Sequence, residues 1–203
     1  MGFRVKRKKR ASKMQIVRQA RALFARQFRE FRDVPGSCVY QAAALVQVGR
    51  EHGRRIIVQA GSAFWRRLPV EVADWVENTA WGYEYDPSTF PDQFVSVVPT
   101  REAHLSGRSN LPMEIHVWCA QPDTDEIIDI TTGGWPRACE MIGGLDWPGP
   151  KPPDYLWKRA GTQPEGGIYC VDPDATRRAH DAVNEVIAHW DAGIQIVPTG
   201  GHP

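Results

Sequence analysis

Three side chains of this sequence could together carry out thiol chemistry: Cys38, His116 and Asp129. A thiolate attacks carbonyl carbon, a histidine can take a proton and return it to a leaving group, and a carboxylate can fix the histidine tautomer and stabilise the imidazolium. Any one of these residues alone is more often structural than catalytic. The prediction therefore depends on whether the local sequence places each residue where this chemistry needs it.

The sequence around Cys38 predicts the start of a buried helix. Pro35 and Gly36 interrupt the preceding chain, and Ser37 is of a type favoured as N-cap. Residues 38–49 are apolar on nearly every side, which is typical of a helix enclosed by other elements. A thiol in the first turn lies near free backbone N–H groups and the positive end of the helix dipole, which favour a thiolate. The same position also suits a cysteine that only packs.

His116 and Asp129 lie on two predicted strands joined by a turn. Pro122 and Asp123 suit the two central positions of a tight turn. In the resulting register His116 directly opposes Asp129 on one face of the hairpin, with Cβ atoms about 5 Å apart. A β-bulge would shift this register by one residue. Turn chemistry and alternation agree in placing an imidazole beside a carboxylate.

The alternation of side chains also assigns the two faces of this hairpin. The face predicted to point to the core carries only apolar residues: Ile115, Val117, Ile128 and Ile130. The other face carries His116 and Asp129 together with Glu114, Trp118, Ile127 and Thr131.

The order of these motifs resembles the transglutaminase-like branch of the papain-like cysteine enzymes. The resemblance rests on Gly-Ser-Cys opening an apolar helix, His-Val-Trp at 116–118, and Ile-Ile-Asp-Ile-Thr at 127–131. It covers roughly residues 34–132. The sequence departs from compact members of the family in the long interval between the Cys and His motifs, which suggests inserted elements around residues 65–107.

The resemblance implies a role for each candidate residue and a fold. Cys38 matches the nucleophile, His116 the general base and Asp129 the orienting acid. The implied fold is α+β and papain-like, with the Cys-bearing helix packed on an antiparallel β-sheet and with flanking N- and C-terminal helices.

The resemblance does not fix the reaction, because members of the family hydrolyse amides, transfer acyl groups or have lost activity. We predict hydrolysis of a peptide or amide bond through a thioester acyl-enzyme, by a cysteine peptidase or amidase. Acyl transfer or transamidation would use the same three residues with another acceptor. A protein of another class is the second alternative: a non-catalytic, nucleic-acid-associated protein that binds through its basic N-terminus. The sequence has neither a clustered set of metal ligands nor a nucleotide-binding motif, so we predict no catalytic metal and no cofactor.

Tryptophans and a segment rich in Gly and Pro could enclose a substrate. Trp81, Trp118 and Trp135 are candidates to line the cleft, although most of the eight tryptophans should serve the core. Residues 133–170 contain frequent Gly and Pro, and we predict an irregular covering segment there, either a functional lid or an insertion.

The basic residues are concentrated at the N-terminus. Residues 1–32 hold twelve of the 25 Lys and Arg residues and a single acid, Glu30, so the rest of the chain is net acidic. We predict a flexible tail over residues 1–13 and an amphipathic helix over residues 14–32. Packing of the helix on the domain is the favoured interpretation, and contact of residues 4–32 with nucleic acid or another polyanion is the alternative.

The remaining sequence predicts a single domain over residues 14–203. An apolar run ending at Gly61 indicates a buried strand, and Asp172 with the following proline begins a C-terminal helix over residues 172–192. Apolar runs are too short to cross a membrane. Four cysteines without a paired spacing favour reduced thiols and a cytoplasmic location.

Overall fold

The computed structural model describes residues 11–28, 37–66, 79–83, 115–143, 146–147, 151–161 and 167–194. The α-helices in these ranges are α1 (Lys13–Gln27), α2 (Cys38–Glu51), α3 (Trp135–Gly143) and α4 (Pro173–Asp191). The strands are β1 (Ile57–Arg66), β2 (Thr79–Tyr83), β3 (His116–Gln121), β4 (Glu126–Asp129), β5 (Leu156–Arg159) and β6 (Gly167–Val171). All pairings are antiparallel, which confirms the predicted α+β class.

Strand β1 is the centre of the sheet. Its first half pairs with β3, its second half pairs with both β2 and β6, and β4 and β5 extend the sheet beyond β3. Because β2 and β6 pair with the same residues of β1, they must lie on opposite edges of it. Strand β2 therefore continues the edge that β3 occupies, and Tyr83 at its end stacks on His116.

Gly61 lets three strands approach closely at the middle of β1. It lies level with His116 in β3 and with Val171 in β6. A Cβ atom at Gly61 would lie 2.1 Å from the carbonyl oxygen of Cys170, and the glycine has a φ of 151°. Only glycine fits this close approach of backbones.

Helices α1, α2 and α4 enclose the main core on one face of the sheet. The centre of α2 is fully covered, with Ala43 and Ala44 0% exposed. The sheet contributes Val58, Ala60, Val117, Cys119, Ile128 and Ile130 to the same core. The predicted inward face of the hairpin is therefore confirmed, with Ile115 partly buried against this core.

The opposite face of the sheet carries aromatic side chains. One cluster contains Ala63, Trp65, Tyr83, Trp135, Ala138 and Cys139. A second cluster contains Trp118, Ile127 and Leu156. His116 and Asp129 alternate with the core residues of β3 and β4, so they belong to this aromatic face.

Polar side chains at two helix starts confirm or correct the predicted boundaries. Asp172 caps α4 by accepting a hydrogen bond from the Ala175 N–H at 2.6 Å, as predicted. Ser12 caps α1 by accepting from the Gln15 N–H at 3.2 Å, and Ala11 is buried. The predicted tail over residues 1–13 is therefore wrong at residues 11–13.

The predicted helix over residues 14–32 is shorter in the structure. Helix α1 ends at Gln27, with Phe28 as its C-cap, and residues 29–36 lie outside the described ranges. Two of its basic side chains bond within the molecule: Lys13 pairs with Glu126, and Arg21 donates to backbone carbonyls. These two residues therefore serve the fold, whereas residues 1–10 lie outside the described part of the chain.

The segment over residues 133–170 is more regular than predicted. It contains α3, β5 and most of β6, so the irregular assignment is wrong for those elements. Leu156, Trp157 and Cys170 are at most 9% exposed, and their strands pair with β4 and β1. Pairing and burial, which are non-local, override the weak local preference of a Gly- and Pro-rich sequence.

The turn between β3 and β4 is longer than predicted. Pro122–Thr124 form a 3-10 turn, and Asp125 follows in the left-handed conformation with a φ of 51°. Gln121 consequently pairs with Glu126, which shifts the register by two residues. A shift of two keeps every side chain on its predicted face. His116 and Asp129 thus lie diagonally across the ladder instead of directly opposite each other.

The sequence also predicts a short helix at 68–78 and strands at 94–98 and 194–197, and all of these residues except Ile194 lie outside the described ranges. In the described part of the chain, we find no helix that combines the length and apolar character needed to cross a bilayer.

Candidate active site

His116 and Asp129 form a buried pair on the aromatic face of the sheet. The distance from His116 Nε2 to Asp129 Oδ2 is 2.8 Å, and the two residues are 2% and 1% exposed. The diagonal arrangement brings the side chains together because His116 begins β3 and Asp129 ends β4. Nε2 of His116 is thus engaged in the hydrogen bond with the carboxylate, and Nδ1 is the ring nitrogen available to another partner.

Asp129 accepts further hydrogen bonds that fix its carboxylate. Its Oδ1 atom accepts from the backbone N–H of Thr131 at 2.8 Å and from the Thr131 hydroxyl at 2.6 Å. Its Oδ2 atom accepts from the hydroxyl of Tyr169 at 2.9 Å, in addition to the imidazole. The indole N–H of Trp135 donates to the Thr131 oxygen at 3.2 Å and so supports this network from α3. The carboxylate is therefore saturated with donors, as a buried charge requires.

Four aromatic rings surround the imidazole of His116. Tyr83 stacks on it with centroids 4.9 Å apart and planes 11° apart, and Trp118 lies nearly parallel at 6.0 Å. The ring of Trp135 is perpendicular to the imidazole with centroids 5.3 Å apart, and the ring of Tyr169 lies at 6.4 Å. Such rings exclude water from the imidazole, and a ring face also attracts a cation.

The electrostatics of the pair favour its charged form. Burial alone would lower the pKa of His116, but the negative charge and hydrogen bond of Asp129, followed by interactions with Cys38, raise that pKa to about 9. For Asp129, burial would raise the pKa, but the charge and hydrogen bond of His116 and the hydrogen bonds from Thr131 hold it below its usual value. An imidazolium–carboxylate pair is therefore expected at neutral pH.

Cys38 is the first residue of α2 and is half-buried. Cys38 lies close enough to the imidazole of His116 to contribute, after Asp129, to the raised pKa of the histidine. Ser37 precedes the helix, as predicted, but its hydroxyl accepts from Gln41 Nε2 at 3.0 Å instead of capping a backbone N–H. The hydroxyl of Ser37 therefore does not occupy the N–H groups of the first turn.

The other three cysteines are buried. Burial, followed by the charge of Asp129, raises the pKa of Cys119 far above its usual value. Burial raises the pKa of Cys170 to about 11. Cys139 is 0% exposed in the aromatic cluster. Cys38 is thus the cysteine whose setting suits a nucleophile.

A small pocket opens beside Cys38, with a volume of about 160 Å³ including the solvent at its mouth. Asp129 and Thr131 contribute to its wall, and Ala42 and Leu45 of α2 contribute apolar surface. The thiol thus borders a space that lies between α2 and the sheet.

The predicted substrate-binding tryptophans do not form an open cleft in the described structure. Trp118 and Trp135 are each 1% exposed. They pack around the imidazole, and their indole N–H groups donate to Gln59 and Thr131. Trp118 nevertheless contributes to the wall of the pocket beside Cys38, so contact of these tryptophans with a substrate stays a prediction. Trp81 lies in β2 opposite Trp65, but its side chain is outside the described part of the chain.

Sequence reasoning missed two residues of this site, Tyr83 and Tyr169. The sequence indicates no role for Tyr83, and Tyr169 lies in the segment predicted to be irregular. The run Gly-Ile-Tyr-Cys-Val at 167–171 has β-branched and aromatic residues, and this signal could have indicated the strand.

Within the described residues, no group of three or more His, Cys, Asp or Glu side chains could hold a metal ion. Comparison of the chain with protein-family models, with curated proteins and with solved structures finds no match. The interpretation of the site therefore depends on its own geometry.

Proposed function

We propose that this protein is a cysteine hydrolase of transglutaminase-like type that cleaves an amide or peptide bond. The observation that carries the proposal is the environment of one imidazole: His116 interacts with the thiol of Cys38 and, through Nε2, with the carboxylate of Asp129. These are the partners that nucleophilic catalysis by a cysteine requires. The packing of a helix led by the cysteine on an antiparallel sheet supports the proposal, because the resemblance implies such an arrangement.

The proposed reaction begins with an ion pair. In the resting protein the imidazolium of His116, stabilised by Asp129, carries a proton on Nδ1 and pairs with the thiolate of Cys38. The thiolate attacks the carbonyl carbon of the substrate, and the oxyanion accepts hydrogen bonds from N–H groups of the first turn of α2. The imidazolium then protonates the leaving amine, and a thioester remains on Cys38.

Deacylation uses the same residues in reverse. His116 takes a proton from a water molecule, the hydroxide attacks the thioester, and the Cys38 thiolate leaves. Water as acceptor gives hydrolysis, whereas an amine would give transamidation. Assays with different acceptors and different substrates would identify the acceptor and the preferred substrate side chains.

The first test measures thiol reactivity at pH 7 with iodoacetamide and mass spectrometry of the full chain. We expect rapid alkylation of Cys38. This rapid reaction should be absent in Cys38→Ala and unchanged in the matched control Cys139→Ala. Equal labelling of all four thiols would contradict the proposal.

The second test measures the acyl-enzyme. Incubation with p-nitrophenyl acetate is expected to leave one acetyl group on Cys38, and this group should be removed with time. Hydrolysis of a set of N-acyl amides and peptides then defines the leaving group. Salt-dependent binding of RNA or DNA without any acyl-enzyme would instead favour the non-catalytic alternative.

A further inference from the structure

Two hydrogen-bond donors share one oxygen of Asp129. His116 Nε2 lies 2.8 Å from Oδ2, and the Tyr169 hydroxyl lies 2.9 Å from the same atom. Tyr169 comes from β6, which pairs with the far edge of β1, so the contact crosses the aromatic face of the sheet. The other oxygen, Oδ1, is held by the backbone and hydroxyl of Thr131.

We propose that Tyr169 is a positioning residue that shares Oδ2 of Asp129 with His116 and so limits how strongly the carboxylate holds the imidazolium proton. The inference deepens the proposed function, since a cysteine hydrolase needs an imidazolium that can give its proton to the leaving amine. Its first readout, the titration of His116, does not depend on that function.

The hydroxyl is suited to this role because it stays protonated. Burial, the charge of Asp129 and the hydrogen bond to that carboxylate together raise the pKa of Tyr169 well above its usual value. Tyr169 therefore remains a neutral donor throughout the pH range in which His116 titrates.

The direction of the effect follows from competition for one acceptor. When His116 is neutral, the negative charge of Asp129 is compensated mainly by its other donors, and the Tyr169 hydrogen bond is strong. When His116 is charged, the imidazolium takes the same oxygen and the Tyr169 hydrogen bond contributes less. The hydroxyl thus stabilises the state with neutral His116 more than the state with imidazolium.

Other titratable groups face the pair and must be kept unchanged in the test. They are Cys38 from α2 and Tyr83 from β2. Cys119 of β3 lies on the opposite, core face of the sheet, but it also interacts with the charge of Asp129. Tyr169→Phe removes only the hydroxyl and retains the ring that packs near His116 and Trp118. The matched control is Tyr155→Phe, because the Tyr155 hydroxyl makes no hydrogen bond to any described residue.

The experiment follows the carbon-bound ring protons of His116 by NMR between pH 6 and pH 11. We expect Tyr169→Phe to raise the pKa of His116 by about half a unit to one unit, and Tyr155→Phe to leave it unchanged. An unchanged or lowered pKa in folded Tyr169→Phe would overturn the inference. Circular dichroism establishes the fold of each variant.

A second variant changes the hydrogen bond in the opposite sense with little risk to folding. Tyr169→3-fluorotyrosine carries a more acidic hydroxyl, which is a stronger donor, and should lower the pKa of His116. A rise would overturn the inference even if Tyr169→Phe did not fold.

Activity then separates this inference from the proposed function. If the wild-type protein cleaves amides, Tyr169→Phe should slow amide cleavage several-fold more than cleavage of p-nitrophenyl acetate, whose leaving group needs no proton. If the protein forms no acyl-enzyme but both Tyr169 variants shift the pKa of His116 as expected, the proposed hydrolase activity is refuted and the role of Tyr169 is retained. An active hydrolase without those shifts would refute only the role of Tyr169.

Discussion

The imidazole of His116 and the carboxylate of Asp129 form a buried ion pair, with 2.8 Å between Nε2 and Oδ2 and neither residue more than 2% exposed. Burying two charges has a large desolvation cost, which only a well-oriented partner and further hydrogen bonds can offset. Both conditions are met here, since Asp129 has four donors and His116 is surrounded by aromatic rings. The pair is therefore the feature on which stability and proposed chemistry both depend.

Replacing the carboxylate should neutralise the histidine at pH 7. In Asp129→Asn, burial is no longer opposed by a negative charge, so the pKa of His116 should fall from about 9 to below its usual 6.5. We expect the rate of Cys38 alkylation at pH 7 to fall about a hundredfold, because the imidazolium that stabilises the thiolate is lost.

The matched control for this prediction is Asp181→Asn. The Asp181 side chain is 78% exposed on α4, far in sequence from the site. An equal loss of reactivity in both variants would indicate general damage and would contradict the specific role of Asp129.

The pair also predicts how stability depends on pH. The pKa of His116 is raised from 6.5 to about 9 on folding, so its contribution is complete below pH 6.5 and is lost as the pH rises to 9. The loss should be on the order of 3 kcal/mol in the free energy of unfolding. The pKa of Asp129 is lowered on folding, so its contribution is present above its usual pKa and is lost as the pH falls below that value.

Urea unfolding between pH 5 and pH 9 measures this dependence. The decrease above pH 6.5 should be absent in His116→Gln, or in Asp129→Asn if the first variant is too unstable to measure. A wild-type free energy that stays constant from pH 6.5 to pH 9 would show that the pair is not charged as described.

Thr131 links the carboxylate to α3, and its hydroxyl should matter for stability. In Thr131→Val, Asp129 Oδ1 loses a donor and the Trp135 N–H loses its acceptor. Unpaired buried polar groups cost about 1–3 kcal/mol, so we expect a decrease of that size in the free energy of unfolding.

The control is Thr124→Val, at an exposed position of the β3–β4 turn. Chemical denaturation of the three proteins should rank the wild type and Thr124→Val close together and Thr131→Val lowest. Similar free energies of unfolding for the two variants would contradict a special role of the Thr131 hydroxyl.

Arg21 connects α1 by hydrogen bonds to the residue that follows β4 and to the residues that precede β5. Its guanidinium donates to the carbonyl of Ile130 at 3.1 Å and to the carbonyl of Asp154. Arg21→Gln should lower the free energy of unfolding by about 1.5–3 kcal/mol, the usual range for hydrogen bonds that involve a charged group.

Arg18→Gln is the control for this prediction, because Arg18 is exposed on the same helix. Arg18→Gln should change the free energy of unfolding by at most about 0.5 kcal/mol, as is usual for surface substitutions. Thermal denaturation of both variants gives the comparison, and equal effects would show that the contacts of Arg21 contribute nothing beyond helix propensity.

Some features of this protein follow from the sequence because they depend on neighbouring residues. The start of α2 at Cys38 and the start of α4 after Asp172 are local signals of breaker, cap and apolar pattern. The faces of β3 and β4 were predicted correctly even though the turn was wrong. Alternation has a period of two, and the extra two residues of the turn changed the register without moving His116 or Asp129 to the other face.

Other features were decided only by tertiary structure. The strand order places β6 beside β1, and this brings Tyr169 to Asp129 from 40 positions away. The same packing brings Cys38 to His116 and covers Trp118 and Trp135, which the sequence had suggested for a cleft. Local propensity contains no information on such contacts, because they arise from the pairing of distant strands and from burial on both faces of the sheet. The sequence by itself therefore determined which residue types could do chemistry and which way they point, and the tertiary structure determined which of them meet.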